Sequence, residues 1–214
     1  MSGVEIPETR DQKFTRQTKE SFEYLGRFVQ AFQQTESVIR MLCSMMATGG
    51  SKQQGRLNAI LYHHSLTAMP LFEIMIGMIG QIIHDPDYKI ASKEIQIDNA
   101  IIKQSATIIE SLIKQRNNLL HGHWMIGAAY PSETDFSQVL VTKFKTTRRG
   151  LEVATTPKTI AEMKTLIQEC EELGQVLLRF GICFYPDIKN LERNFTKVGK
   201  KWMTPEQAEK AGEH

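Results

Sequence analysis

The chain has 214 residues, with 26 basic against 24 acidic side chains and a formal net charge of +2 at pH 7. That balance excludes a uniformly basic nucleic-acid coat, so any basic surface must be local; the length allows one sizeable core or a domain with an extended tail. Three cysteines (Cys43, Cys170 and Cys183), odd in number and without paired spacing, predict buried thiols in a reduced, cytoplasmic protein.

The first predicted helix runs from about Thr9 to Ala47. Leu25, Phe28, Phe32, Ile39 and Leu42 recur on one face of a 3.6-residue period, and Gly49-Gly50-Ser51 ends it. Met1 to Glu20 is polar and charged, unlike a signal peptide. A second helix is expected from Gln54 to His84, with Leu57, Leu61, His64, Ala68, Leu71, Met75, Met78 and Ile82 in one stripe and a kink at Pro70. Its apolar stretch Leu66 to Ile83 is marginal in length for a membrane span. Pro70, Glu73 and Gln81 favour a central helix of a bundle instead, so no membrane is expected.

A third helix, Ile95 to His121, buries Ile101, Ile108, Leu112 and Leu119, with Ser105 in the same row. Next come Gln138 to Lys145 and Leu151 to Thr155, rich in β-branched residues around a turn closed by Gly150, which predict a small hairpin. Thr156-Pro157 marks the start of a fourth helix, whose face is Ile160, Met163, Ile167, Cys170, Gly174, Leu177, Gly181 and Phe184, and Pro186 stops it. The fold expected is all-α: an antiparallel four-helix bundle over residues 1–185 with the hairpin inserted before the last helix. A basic segment follows over 186–214, disordered at its end.

The chemistry gathers at the end of the third helix, where Ile108 to His123 reads IIESLIKQRNNLLHGH. Arg116 is a permanent cation suited to phosphate oxygens, and His121 is the side-chain type that moves protons near neutral pH. Asn117 and His121 are four apart, so the amide can reach the imidazole and set its tautomer. Gly122 can stop the helix. Arg116 and His121 are five apart, roughly 140° around a regular helix axis. Either the last turn unwinds at Gly122 or a second copy supplies half of the site.

The segment resembles the signature of the HEPN superfamily (higher eukaryote and prokaryote nucleotide-binding), an arginine, four to six residues and a histidine, in its variant with a polar residue directly after the arginine, here Asn117. The order of helix, motif, short excursion and helix is similar as well, over roughly Thr9 to Tyr185. The resemblance implies a homodimer whose two motifs meet in one cleft and cleave RNA without metal or cofactor. Arg116 and His121 would be catalytic, and Asn117 would orient the imidazole. A second Arg-to-His match, Arg56 to His63, has Leu57 after the arginine and its histidine mid-helix, and is set aside. In the nucleotidyltransferase-linked toxins of the superfamily a tyrosine often stands two places after the histidine; His123 holds that place here.

Lys143, Lys145, Arg148 and Arg149 crowd the hairpin and suit an RNA phosphate track, or else a charge-protected edge strand. His123, His63 and His64 are accessory candidates. No ligand cluster has zinc spacing, so no metal is expected. The alternative function is a non-catalytic HEPN-like module that binds nucleotide, RNA or a protein partner. Without any function, the same Arg and His would serve as a plain helix C-terminus favoured by the dipole.

Overall fold

A computed structural model describes residues 8–48, 61, 67–84, 92–126, 135–147, 150–184 and 191–212. The described residues are mostly helical, with small antiparallel sheets. In chain order they form α1 (Arg10–Thr48), α2 (Ala68–His84), α3 (Ser92–His121), β1 (His123–Ile126), β2 (Gln138–Thr147), β3 (Gly150–Thr159), α4 (Ile160–Ile182), α5 (Leu191–Asn194), β4 (Thr196–Val198), β5 (Lys201–Met203) and α6 (Pro205–Gly212). Two compact units divide the chain: Met1–Gln30 with Lys114–Gln168, and Ala31–Ile113 with Glu169–His214.

In the first unit, α1 starts where Thr9 and Gln12 exchange hydrogen bonds: Thr9 N donates to Gln12 Oε1 at 2.9 Å and Gln12 N to Thr9 Oγ1 at 3.3 Å. This reciprocal cap satisfies two donors that a helix start leaves over. One turn on, the Gln17 amide holds the entry to β2. It donates to Asp135 Oδ1 at 2.8 Å and accepts from Phe136 N at 2.8 Å. Phe136 is buried and meets the Phe14 ring edge-on, with centroids 5.1 Å apart.

The predicted hairpin is present but is part of a larger sheet. β2 and β3 pair from Gln138↔Thr159 to Thr147↔Gly150, and β1 adds a third strand on the other edge of β2, from His123↔Thr142 to Ile126↔Val139. Alternation along the strands gives the sheet two unlike faces. Trp124, Val139, Val141 and Lys143 share the inner one, and Val139 and Val141 are buried. The expected fourth-helix start at Thr156-Pro157 is corrected: β3 continues through both residues to Thr159, and the helix begins at Ile160. Thr159 and Glu162 cap it, Thr159 N donating to Glu162 Oε2 at 2.8 Å and Glu162 N to Thr159 Oγ1 at 3.2 Å. A Thr-x-x-Glu box prevails over a lone Thr-Pro. Pro157 falls on an edge strand, where a residue without N–H is tolerated.

The second unit buries Phe32, Ile39, Leu42, Leu71, Met75, Ile101, Cys170 and Leu177 along the faces read from the sequence, and also Phe180, which that reading did not include. Where α1 meets α4, a side chain on Gly181 would lie 2.4 Å from Leu42 Cδ2, so only glycine permits that approach. Thr35 Oγ1 donates to the Cys170 carbonyl at 2.9 Å nearby. All three cysteines are buried. Burial pushes the Cys43 thiol up to about 11 and the Cys170 thiol up to about 12, which keeps both protonated and unreactive.

Two further expectations change here. Thr67 is not helical, and its carbonyl accepts from Leu71 N at 3.2 Å, so α2 starts at Ala68. Pro70 therefore stands in a first turn, whose N–H groups need no partner, and does not kink a helix interior. Much of the Gln54–His84 helix, including Leu57, His63 and His64, lies outside the described residues. The C-terminal segment is ordered through α6: Leu191 and Phe195 are buried, and β4 pairs with β5. The Gln104 amide bonds Trp202 twice, donating to its carbonyl at 2.9 Å and accepting from its N–H at 2.7 Å. Gln207 Nε2 donates to the Glu172 carbonyl at 3.0 Å. A polar sequence misleads because the segment's anchors are a few apolar side chains and these paired amides.

Among the described residues no helix is long and apolar enough to cross a membrane. Asp98 is 3% exposed on α3, and its Oδ1 meets no donor among the described residues. Burial pushes its carboxyl up to about 7 from an ordinary 3.8. Across that window the folded chain holds one proton that the unfolded chain has released, so stability falls as pH rises from about 4 to about 7. Asp98→Asn is expected to melt several degrees above the parent at pH 8 and to lose that advantage by pH 4. Equal differences at both pH values in thermal melts would refute the assignment.

Candidate functional site

The last turns of α3 carry the motif. The helix runs through His121 without unwinding, so the angular offset between Arg116 and His121 stays near 140°. Arg116 is half-buried, three residues before buried Leu119, whereas His121 is exposed on the far side, roughly 160° from Leu119. One copy of this helix does not aim both groups at one phosphate.

Asn117 behaves differently from the expectation. Its Oδ1 accepts from Arg116 Nη1 at 3.4 Å, so the amide turns to the arginine instead of the imidazole. The next residue, Asn118, was not singled out in the sequence. Its Oδ1 accepts from Lys143 Nζ at 2.7 Å, which brings one predicted phosphate-tracking lysine to the motif turn. A carboxamide oxygen leaves that ammonium its full charge and two further N–H donors.

Beyond His121 the chain makes an abrupt change of direction. A Cβ on Gly122 would lie 2.2 Å from Val141 Cγ1 and 2.7 Å from the Asn118 carbonyl oxygen. Gly122 does not have positive φ; Gly199, at 60°, is the glycine that does among the described residues. Close approach of β2 to the helix end therefore requires glycine here, in place of a left-handed cap. Trp124 finishes the end: its Nε1 donates to the Leu119 carbonyl at 2.8 Å, a carbonyl the helix leaves over. Its ring stacks on Phe22 of α1, with centroids 5.7 Å apart and planes 15° apart. The sequence signal for Trp124 was its place three residues after the motif histidine, on a strand too short to announce itself.

His123 stands on the outer face of β1, edge-on to Phe144 at 5.2 Å. Lys145 is exposed and lies directly across from Glu152 on β3, an acid that the linear run of basic residues does not reveal. Arg148, Arg149, His63 and His64 are outside the described residues. Arg116, Asn117, Asn118 and Lys143 thus share the helix end, while His121 faces away from Arg116. Among the described residues no group of three or more His, Cys, Asp or Glu side chains could hold a metal ion. Compared with protein-family models, with curated proteins and with solved structures, the chain matches none.

Proposed function

We propose that the protein is a metal-independent endoribonuclease of HEPN type, a cytoplasmic homodimer whose long helices form a four-helix bundle and whose site takes Arg116 from one copy and His121 from the other. The observation that carries this reading is the helix end itself. A half-buried guanidinium and an exposed imidazole are held on opposite sides of a turn fixed by Gly122 and Trp124, with Lys143 close by. Such a turn offers each group to a different chain.

In the reaction, His121 takes the proton from the RNA 2′-hydroxyl, whose oxygen attacks the adjacent phosphorus. The P–O5′ bond breaks, leaving a 2′,3′-cyclic phosphate, and the departing 5′-oxygen is protonated by a general acid. Proton transfer of this kind contributes typically 10²–10⁴-fold. Arg116 offsets the charge that grows on the phosphorane oxygens. The nucleophile belongs to the substrate, so no serine or cysteine is needed. Lys143 and Lys145, with Arg148 and Arg149 in the same segment, follow the RNA backbone.

Cleavage is expected to proceed in excess chelator, to yield cyclic or 3′-phosphate ends, and to spare DNA of the same sequence. Dependence on magnesium, or equal cutting of DNA, would reject the mechanism. One contact favours the second reading, a non-catalytic module binding nucleotide, RNA or protein: Asn117 is engaged by Arg116 and does not hold the imidazole. That reading takes over if the parent binds RNA but cuts none tested.

A further inference from the structure

We infer that the second compact unit carries a binding cavity for a small amphipathic anion, a molecule with one carboxylate, phosphate or sulfonate group on an apolar body. The cavity has a volume of about 520 Å³ and is lined by the last turns of α4, the end of α5 and one side of α6. That volume is in the range of small-molecule sites. Its lining residues all belong to the unit without Arg116 and His121, so the inference is independent of the ribonuclease reading.

Two ties hold α6 beside α4 and keep the cavity between them. At one, Gln207 Nε2 donates to the Glu172 carbonyl at 3.0 Å and to Gln175 Oε1 at 3.2 Å. At the other, Arg179 Nη2 donates to Glu206 Oε1. Along α4 the core takes Leu173, Leu177 and Phe180, while Leu178 and Ile182 stand one turn apart on the neighbouring stripe and line the cavity. Ile182 is 38% exposed, and buried Cys183 extends the same apolar wall.

The charges beside that wall select the ligand. Glu206 is already engaged: its own backbone N–H, the Thr204 hydroxyl and Arg179 hold its carboxyl below the ordinary 4.5. Arg179 gives Glu206 one of its five N–H donors and keeps others. Lys210 stands one turn beyond Glu206 on α6, exposed, with no acidic partner among the described residues. Two cations against one acid leave one positive charge next to an apolar wall. A neutral apolar molecule would cover the ammonium without giving it an acceptor. A bare phosphate ion would leave Leu178 and Ile182 in water. RNA needs a run of cations for successive phosphates, and Glu206 stands between these two. An anionic head on Lys210 and Arg179, with an apolar body on Leu178 and Ile182, satisfies both parts of the lining.

The probe is anilinonaphthalene sulfonate, an aromatic anion whose emission rises in apolar surroundings, titrated against the full chain. Binding to the parent is expected in the range of about 1 to 100 µM. Lys210→Met removes the charge and keeps the apolar stem. It is expected to weaken binding about tenfold, the worth of one charge-assisted hydrogen bond. Ile182→Glu puts a like charge on the wall at an exposed position and is expected to weaken binding by more. Phenylnaphthylamine, the same body without the sulfonate, is expected to bind the parent about tenfold more weakly and to bind Lys210→Met as it binds the parent. Phe144→Ser, at an exposed apolar residue of the other unit, and Lys197→Met, at an exposed cation of β4, are the controls and are expected to bind like the parent. Lys210→Met decides if Ile182→Glu does not fold. A parent that does not bind the probe in this range, a Lys210→Met protein that binds it unchanged, or a neutral dye that binds as tightly as the anion would overturn the site.

Discussion

His121→Ala is expected to lower RNA cleavage by about two orders of magnitude or more while shifting the melting temperature by only a few degrees. It removes the proton carrier, and an exposed side chain at a helix end contributes little to packing. Arg116→Ala is expected to match it in rate but to cost more stability, because the half-buried stem of the arginine is lost with its charge. Asn117→Ala should cost less than either. Mixing the two inactive proteins then distinguishes a shared site from a local one. A mixed dimer with Arg116 lost from one chain and His121 from the other keeps one intact composite site, so equal mixing restores about a quarter of parental activity. A site built within one chain recovers nothing. Unfolding of both single variants would instead mark the residues as helix-end structure.

Gly122→Val is the substitution with the largest expected effect on stability. Its Cβ would fall inside van der Waals contact with both Val141 Cγ1 and the Asn118 carbonyl oxygen. The valine side chain can shift, but a helical carbonyl cannot move without opening the last turn. Overpacking of this kind costs about 1–3 kcal/mol, occasionally more. For a chain of this size that lowers the melting temperature by roughly 2–12 °C. Gly122→Ala is expected to fall at the lower end, and Gly122→Ala with Val141→Ala to recover part of the loss, because the second change removes one of the two obstacles. Thermal melts of the three variants test this. A Gly122→Val protein as stable as the parent would show that the helix end and β2 are not held at this distance.

The helix faces were legible because burial at 3.6-residue spacing leaves a direct trace in sequence: Phe28, Ile39, Leu112, Met163 and Leu177 were expected in the core and are found there. Ends were less legible where two local signals competed. Thr156-Pro157 and Thr159-x-x-Glu162 both announce a helix start, and the one that exchanges two hydrogen bonds determines it. β1 escaped notice because four residues after a helix show no alternation long enough to register, and its pairing with β2 comes from chain distant in sequence. At the candidate site, residue types and spacing named Arg116 and His121. Only the fold tells that Lys143 reaches Asn118 and that Glu152 lies across from Lys145, since both depend on strand register. Buried Asp98 left no mark, because one acid in an amphipathic repeat looks like any other polar residue.

The indole of Trp124, bonded to the Leu119 carbonyl and lying on Phe22, has an optical consequence. The chain holds two tryptophans, and Trp202 belongs to the other compact unit. Each unit therefore carries its own fluorophore. With Trp202 replaced by phenylalanine, the remaining emission comes from a ring fixed at the end of the motif helix, where its hydrogen bond and stacking partner set its colour. Anything that loosens that last turn is written into the spectrum, with no label attached.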